Sequence, residues 1–227
     1  MKPKDLIFPF SWENRRPLFE HGVLFIPRYY QEHDVWNKTA WFSVIQHYPC
    51  IHIEYGSGNG AWICSKAKKE QEVLWIAVEK RFDRVQKIWS KKQNEQLHNL
   101  LIVCGDALSC TQWYLPESCL DKIFINFPDP WPKEKHAKNR LLQTSFVHAM
   151  HAHAKEHAQV MIVTDDDTYR EQVLESMTQQ ILWKSLLVAP NYVTTWPEYG
   201  SSFFEELWRQ KGKTISYMHF QKQKGFS

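Results

Sequence analysis

The sequence predicts a doubly wound α/β fold on a mostly parallel sheet of seven strands. Three observations predict it. From residue 50 onward, short apolar runs alternate with polar stretches of helix length. The apolar runs are nearly continuous instead of alternating in polarity, which is the mark of strands covered on both faces. No repeat, low-complexity tract or Gly/Ser linker breaks the rhythm.

Taken in order, residues 1–48 are aromatic, proline-broken and without clean periodicity. They read as an extension that wraps the sheet or contacts substrate, leaving residues 49–227 as one domain. The strands are then Ile51–Tyr55, Val73–Val78, Leu100–Cys104, Lys122–Asn126 and Gln159–Thr164, followed by Trp183–Ala189 and Thr214–Gln221. Helices fall at Gly60–Glu70, Arg81–Glu95, Ala137–His157 and Thr168–Gln180.

Composition bounds the function. At 227 residues, 43% hydrophobic and 23% charged, the chain buries a core of its own, which excludes a largely disordered protein. No apolar run reaches membrane-spanning length. Five scattered cysteines without a C-x-x-C pair fit a reduced, cytoplasmic thiol set better than a disulfide framework. The net charge of +3 excludes a polycationic packaging protein, yet charge is unevenly spread. Residues 61–100 carry nine basic and five acidic side chains, and residues 158–206 eight acids against two bases. Gathered on one face, the basic segments would hold a polyanion; as ordinary helix surface they would hold nothing.

Open α/β sheets bind ligands beyond the carboxyl ends of their strands, so each strand end is a candidate site. The first runs into Glu54-Tyr55-Gly56-Ser57-Gly58-Asn59-Gly60. Glycines at alternate positions give a tight turn and let a ligand approach the backbone. The spacing is G-x-G-x-G, not the G-x-G-x-x-G of dinucleotide folds, which disfavours a nucleotide-binding oxidoreductase. Glu54 before the loop repels a phosphate and attracts an ammonium group, such as the amino-acid end of S-adenosylmethionine. Glu79 ends the second strand about 20 residues past the glycine loop, where an acid binds ribose hydroxyls or simply starts a helix. In Gly105-Asp106-Ala107, Asp106 suits an adenine amine or a helix cap.

The fourth strand end is the most specific: Phe127-Pro128-Asp129-Pro130-Trp131-Pro132-Lys133, then Lys135, His136, Lys138 and Arg140. Prolines 128, 130 and 132 stiffen the loop around Asp129. Phe127 or Trp131 offers a stacking surface for a base, and Lys133, Lys135, Lys138 and Arg140 offer phosphate-binding cations.

With that motif the chain resembles the bacterial tRNA (guanine-N7-)-methyltransferases. The glycine loop, Glu79 and Gly105-Asp106-Ala107 match the family in order and spacing. The likeness continues through Thr164-Asp165 to Ser202-Phe203-Phe204-Glu205, where the family usually has Thr-x-Tyr/Phe-Glu. Ser202 replaces the usual threonine, Asn139 stands where a second arginine is common, and residues 1–48 show no match. The resemblance implies a Rossmann-like methyltransferase fold and methyl transfer from S-adenosylmethionine to N7 of a guanine in tRNA, at position 46 of the variable loop. It implies Glu54, Glu79, Asp106 and Asp129 as cofactor-site residues beside Gly56, Gly58 and Gly60, with Asp129 as the catalytic residue. Lys133, Asp165, Ser202, Phe203, Phe204 and Glu205 follow as substrate-binding positions. The competing readings are a methyltransferase for another nucleobase or for protein, and a tRNA-binding protein without catalysis.

No metal is expected. His153 and His157 have metal-compatible spacing but no third ligand nearby in sequence, and Asp165-Asp166-Asp167 is explained by helix capping as well as by magnesium. Nothing in the chain signals a membrane or an obligate protein partner.

Overall fold

The computed structural model describes residues 1–11, 13–131, 133–178, 182–200 and 202–224. Pro132 of the proline-rich motif and the expected helix end at Gln179–Gln180 lie outside the described residues. The chain divides into two compact units, Met1–Pro116 and Glu117–Ser227.

In the first unit the strands are β1 (Leu18–Glu20), β2 (Val23–Phe25), β3 (Ile51–Tyr55), β4 (Leu74–Glu79) and β5 (Leu100–Cys104). The helices are α1 (Thr39–Gln46), α2 (Ala61–Lys69), α3 (Phe82–Asn94) and α4 (Ala107–Tyr114). Strand order is β1-β2-β5-β4-β3; all neighbours are parallel except β1 and β2. Every residue of β3, β4 and β5 is buried, which is why these strands are continuous apolar runs. On α3, Val85, Ile88 and Trp89 are buried; their spacing makes one helical stripe. The side-chain amide of Asn99 donates to the carbonyls of Ala67, Glu70 and Val73 at 2.9–3.0 Å, stapling the turn from α2 into β4.

The sheet strands number nine among the described residues, not the seven expected. The two extra strands come from residues 1–48. Three residues each, they are too short to show a period, and tertiary bonds hold them. The Ile26 amide donates to the Cys104 carbonyl at 2.9 Å, and the Ile102 amide to the Gly22 carbonyl at 3.1 Å. The close approach of this segment accounts for Gly105, where an added Cβ would lie 2.8 Å from the Ile26 Cβ. Upstream, Ser90 Oγ and Asn94 Nδ2 donate to the Met1 carbonyl, and Gln86 Nε2 to that of Leu6, so the first residues lie along α3.

The second unit holds β6 (Leu120–Asn126), α5 (Thr144–His153), β7 (Ala154–Thr164), α6 (Asp167–Thr178), β8 (Trp183–Ser185), α7 (Phe203–Gln210) and β9 (Ser216–Lys222). Strand order is β6-β7-β9-β8. β6 and β7 are parallel, and β9 runs antiparallel to both of its neighbours. The expected helix Ala137–His157 is corrected. A 3₁₀ turn occupies Glu134–Asn139, α5 begins only at Thr144, and the chain passes from His153 directly into β7. The register shifts there, Leu120 pairing with Ala154 and Lys122 with Gln159, and His157 takes a left-handed φ of 64°. His153 and His157 therefore do not share a helical face. The strand expected over Trp183–Ala189 stops at Ser185.

None of the helices among the described residues is long and apolar enough to cross a membrane. All five cysteines are reduced; Cys64, Cys104, Cys110 and Cys119 are buried and Cys50 is half-buried.

Candidate active site

In the first unit the carboxyl ends of β3, β4 and β5 carry the glycine turn and three acids. Gly56, Gly58 and Gly60 all have positive φ, at 75°, 56° and 74°, a conformation that a side chain penalises. The turn is anchored from below: the Gly56 and Ser57 amides both donate to the Val78 carbonyl, at 2.8 and 3.1 Å. Its two ends differ. A Cβ on Gly60 would lie 2.7 Å from Ile88 of α3, whereas one on Gly56 would meet nothing within 4 Å. One end is packed tight and the other is open.

Glu54 is only 3% exposed, at the end of β3. Glu79, also buried, accepts from the Gly58 amide on one oxygen and the Arg81 amide on the other, each at 2.9 Å. Arg84 Nη1 lies 3.7 Å from its Oε2. Each carboxylate oxygen retains a further lone pair. Asp106 is exposed and caps α4, its Oδ1 accepting from the Ser109 amide at 2.8 Å. The helix-cap role of Asp106 is thus realised. An open glycine turn beside a buried carboxylate fits a cationic ammonium with hydroxyl groups, and this donor set suits S-adenosylmethionine better than an anion.

In the second unit Asp129 and Lys133 are exposed on the loop after β6. Phe127 and Trp131 adopt φ of 49° and 44°, conformations rare for bulky residues. Arg140 holds the loop: its Nε donates to the Pro130 carbonyl at 2.8 Å, its Nη2 to that of Trp131 at 3.2 Å, and its Nη1 to Gln172 Oε1. The guanidinium expected to bind phosphate thus also clamps its own loop, with one bond each from Nε, Nη1 and Nη2. The buried Tyr169 hydroxyl is pushed up to about 12, chiefly by burial, with the charge of Asp129 adding to the effect.

Asp165 follows β7. Burial raises its carboxyl, against Lys213 Nζ at 3.7 Å, which lowers it. Asp166 caps α6 by accepting from the Tyr169 amide at 2.7 Å, and Asp167 pairs with Arg170. Among the described residues no cluster of three His, Cys, Asp or Glu side chains could hold a metal. Ser202 caps α7, its Oγ accepting from the Glu205 amide at 3.1 Å. Glu205 Oε1 accepts from the Tyr217 hydroxyl at 2.5 Å and from Arg209 Nε at 3.1 Å. Phe203 is 56% exposed. Phe204 packs on Phe127 with ring centroids 6.1 Å apart, joining the proline-rich loop to the Ser202–Glu205 segment. Sequence reading missed Arg140 as a loop clamp and Arg209 and Tyr217 as the supports of Glu205. Tyr217 reaches Glu205 from another element and leaves no local signal, whereas Glu205 and Arg209 share α7 at i,i+4 spacing, which the sequence does carry.

Strands ending in a glycine turn and acids define an α/β ligand-binding fold, and residues 49–218 match the model of a family described as putative methyltransferases. The chain belongs to the tRNA (guanine-N(7)-)-methyltransferase family. It is 44% identical to that enzyme of Chlamydia pneumoniae over 99% of this chain and 100% of the relative, and 42% identical to that of Chlamydia felis over 100% of both. The Staphylococcus carnosus enzyme is 34% identical over 62% of this chain and 65% of its own length. Among solved structures, the 16S rRNA methyltransferase KamB aligns with a TM-score of 0.62 at 13% identity, covering 83% of this chain and 95% of that one. A 16S rRNA (adenine(1408)-N(1))-methyltransferase variant from Catenulisporales acidiphilia with cosubstrate SAM gives 0.53 at 14%, covering 85% and 94%. At these identities the likeness is one of fold.

Proposed function

We propose that this enzyme transfers the methyl group of S-adenosylmethionine to N7 of a guanine in tRNA, at position 46 of the variable loop. The observation that carries the reading is the full-length similarity to chlamydial tRNA (guanine-N(7)-)-methyltransferases. Residues 49–227 are assigned as the methyl-transfer domain, residues 1–48 as a substrate-contacting extension, and the cytoplasm as the working compartment.

Bound in the glycine turn, S-adenosylmethionine supplies an electrophilic methyl group. Glu54 takes its ammonium, Glu79 its ribose hydroxyls, and Asp106 its adenine amine. Guanine N7 carries an in-plane lone pair and no proton, so no residue has to act as a base before transfer. What remains for the chain is positioning and electrostatic support of the cationic base. Asp129 does both, accepting hydrogen bonds from the base and placing a negative charge beside it. Lys133 holds backbone phosphate, and Phe203 and Phe204 offer faces for stacking. Asp165, Ser202 and Glu205 shape that surface; the bonds of Ser202 and Glu205 to α7, Arg209 and Tyr217 favour a supporting part in substrate binding.

Nucleoside mass spectrometry of unmodified tRNA, incubated with enzyme and donor, tests the reading. 7-Methylguanosine is expected. Its absence, with donor binding confirmed by calorimetry, overturns the proposal.

A further inference from the structure

Residues 1–48 hold a groove that the proposed chemistry does not use. It is an open groove of about 330 Å³, bordered by Glu13, Arg15, Arg28, Tyr29, Tyr30 and Glu32. Its place in the first unit is defined. β2 runs parallel to β5, with Phe25 paired to Cys104, and the Ile26 amide donates to the Cys104 carbonyl. Pro27–Glu32 therefore leave the sheet at the carboxyl edge, from which Gly105 and Asp106 also emerge.

The chemistry of the lining is specific. Tyr29 is 90% exposed and takes a left-handed φ of 60°. A bulky residue in that region is rare and costs conformational energy, and here it leaves an aromatic face open to solvent. Arg15 Nη1 donates to the Arg28 carbonyl at 3.3 Å, tying the two arginine-bearing stretches together. Two guanidinium groups suit phosphate oxygens. Two tyrosines offer faces for a base, and Glu13 and Glu32 can accept from N–H groups on the base edge. The volume suits a single nucleotide, at the small end of ligand pockets.

We infer that this groove binds one nucleotide of the tRNA, distinct from the target guanine, by stacking on Tyr29 and by phosphate contact to Arg15 and Arg28. The inference rests on tRNA being the substrate. It makes the N-terminal segment a recognition element, one that reads an unpaired nucleotide because a base stacked within a helix offers no free face.

The test measures binding of an unmodified tRNA transcript to the full chain across a salt series, with donor affinity measured in parallel by calorimetry. Tyr29→Ala should weaken tRNA binding about tenfold, the scale of losing one base–aromatic stack. Arg15→Ala and Arg28→Ala should each make the log–log salt slope shallower by about 0.7–0.9, the share of a single phosphate. Lys68→Ala removes an equal charge from the exposed α2–Glu95 ion pair and should leave the slope alone. Donor affinity should hold in every variant. Three variants indistinguishable from Lys68→Ala would overturn the inference. So would a parallel fall in donor affinity, which would give the groove to the donor's adenine. Formation of 7-methylguanosine by the wild-type chain decides the function separately: a pocket without effect on binding fails while methylation stands. A wild-type chain with no measurable tRNA affinity overturns both.

Discussion

The Gly58 amide donates to the Glu79 carboxylate at 2.9 Å, bridging 21 positions of sequence. The acid at the end of β4 therefore shapes the glycine turn at the end of β3. Folding the turn and presenting a carboxylate to the donor are one arrangement.

Replacing Glu79 with Gln keeps the size but leaves one acceptor oxygen for two amides, those of Gly58 and Arg81, and removes the charge facing Arg84. Because the side chain is buried, the loss of a charged hydrogen bond should cost about 1.5–3 kcal/mol in denaturant unfolding. Donor affinity should fall as well. Unchanged stability together with unchanged donor affinity would mean that the turn stands without Glu79.

Asp129 is exposed, so Asp129→Asn should leave the melting temperature nearly unaltered. If its charge stabilises the cationic base, kcat should fall on the order of 10²–10³, with a modest change in KM. Turnover restored by saturating donor would show instead that Asp129 chiefly grips the donor. Near-normal turnover without extra donor would remove it from the mechanism.

Lys133→Ala should weaken tRNA binding and spare donor affinity. Without its ammonium group one phosphate goes unneutralised, which makes the salt slope shallower by about 1. The measurement is tRNA affinity across a salt series, and an unchanged slope would place Lys133 on plain solvated surface.

For Ser202 the observed bond is a helix cap, so Ser202→Ala should cost about 1 kcal/mol of stability. Ser202→Thr, which restores the family's usual residue, should recover it. Substrate kinetics then separate the roles. A KM for tRNA that rises in the alanine variant by no more than the stability loss explains confines the hydroxyl to capping; a larger rise gives it an RNA contact.

The parallel strands β3, β4 and β5 were legible because burial on both faces writes itself into sequence as unbroken apolar runs such as Leu100–Cys104. Glu54, Glu79 and Asp106 were legible as strand ends for the same reason, once the sheet was recognised. β1 and β2 were not, since three residues carry no period; β2 is held by pairing with distant Ile102 and Cys104, and β1 joins the sheet only through β2. The stretch from Ala137 to His157 misled in the opposite way. Its helix-favouring alanines continue past His153, but Ala154 pairs with Leu120, and sheet pairing overrides propensity there. Arg140 resisted reading as a clamp because an arginine bound to backbone carbonyls looks, in sequence, like one awaiting phosphate.

The distribution of thiols has a practical consequence. Burial pushes the Cys64, Cys104 and Cys119 thiols up to about 12, which leaves roughly one part in 10⁵ as thiolate at neutral pH, and thiolate is the reacting form. Cys110 is buried as well, whereas Cys50 is partly accessible, just ahead of β3. A maleimide dye added to the native protein should therefore attach at Cys50 alone. The unaltered chain would then carry one fluorophore at a known place, the amino end of β3, with the whole strand between it and the glycine turn, so that labelling leaves the ligand edge untouched.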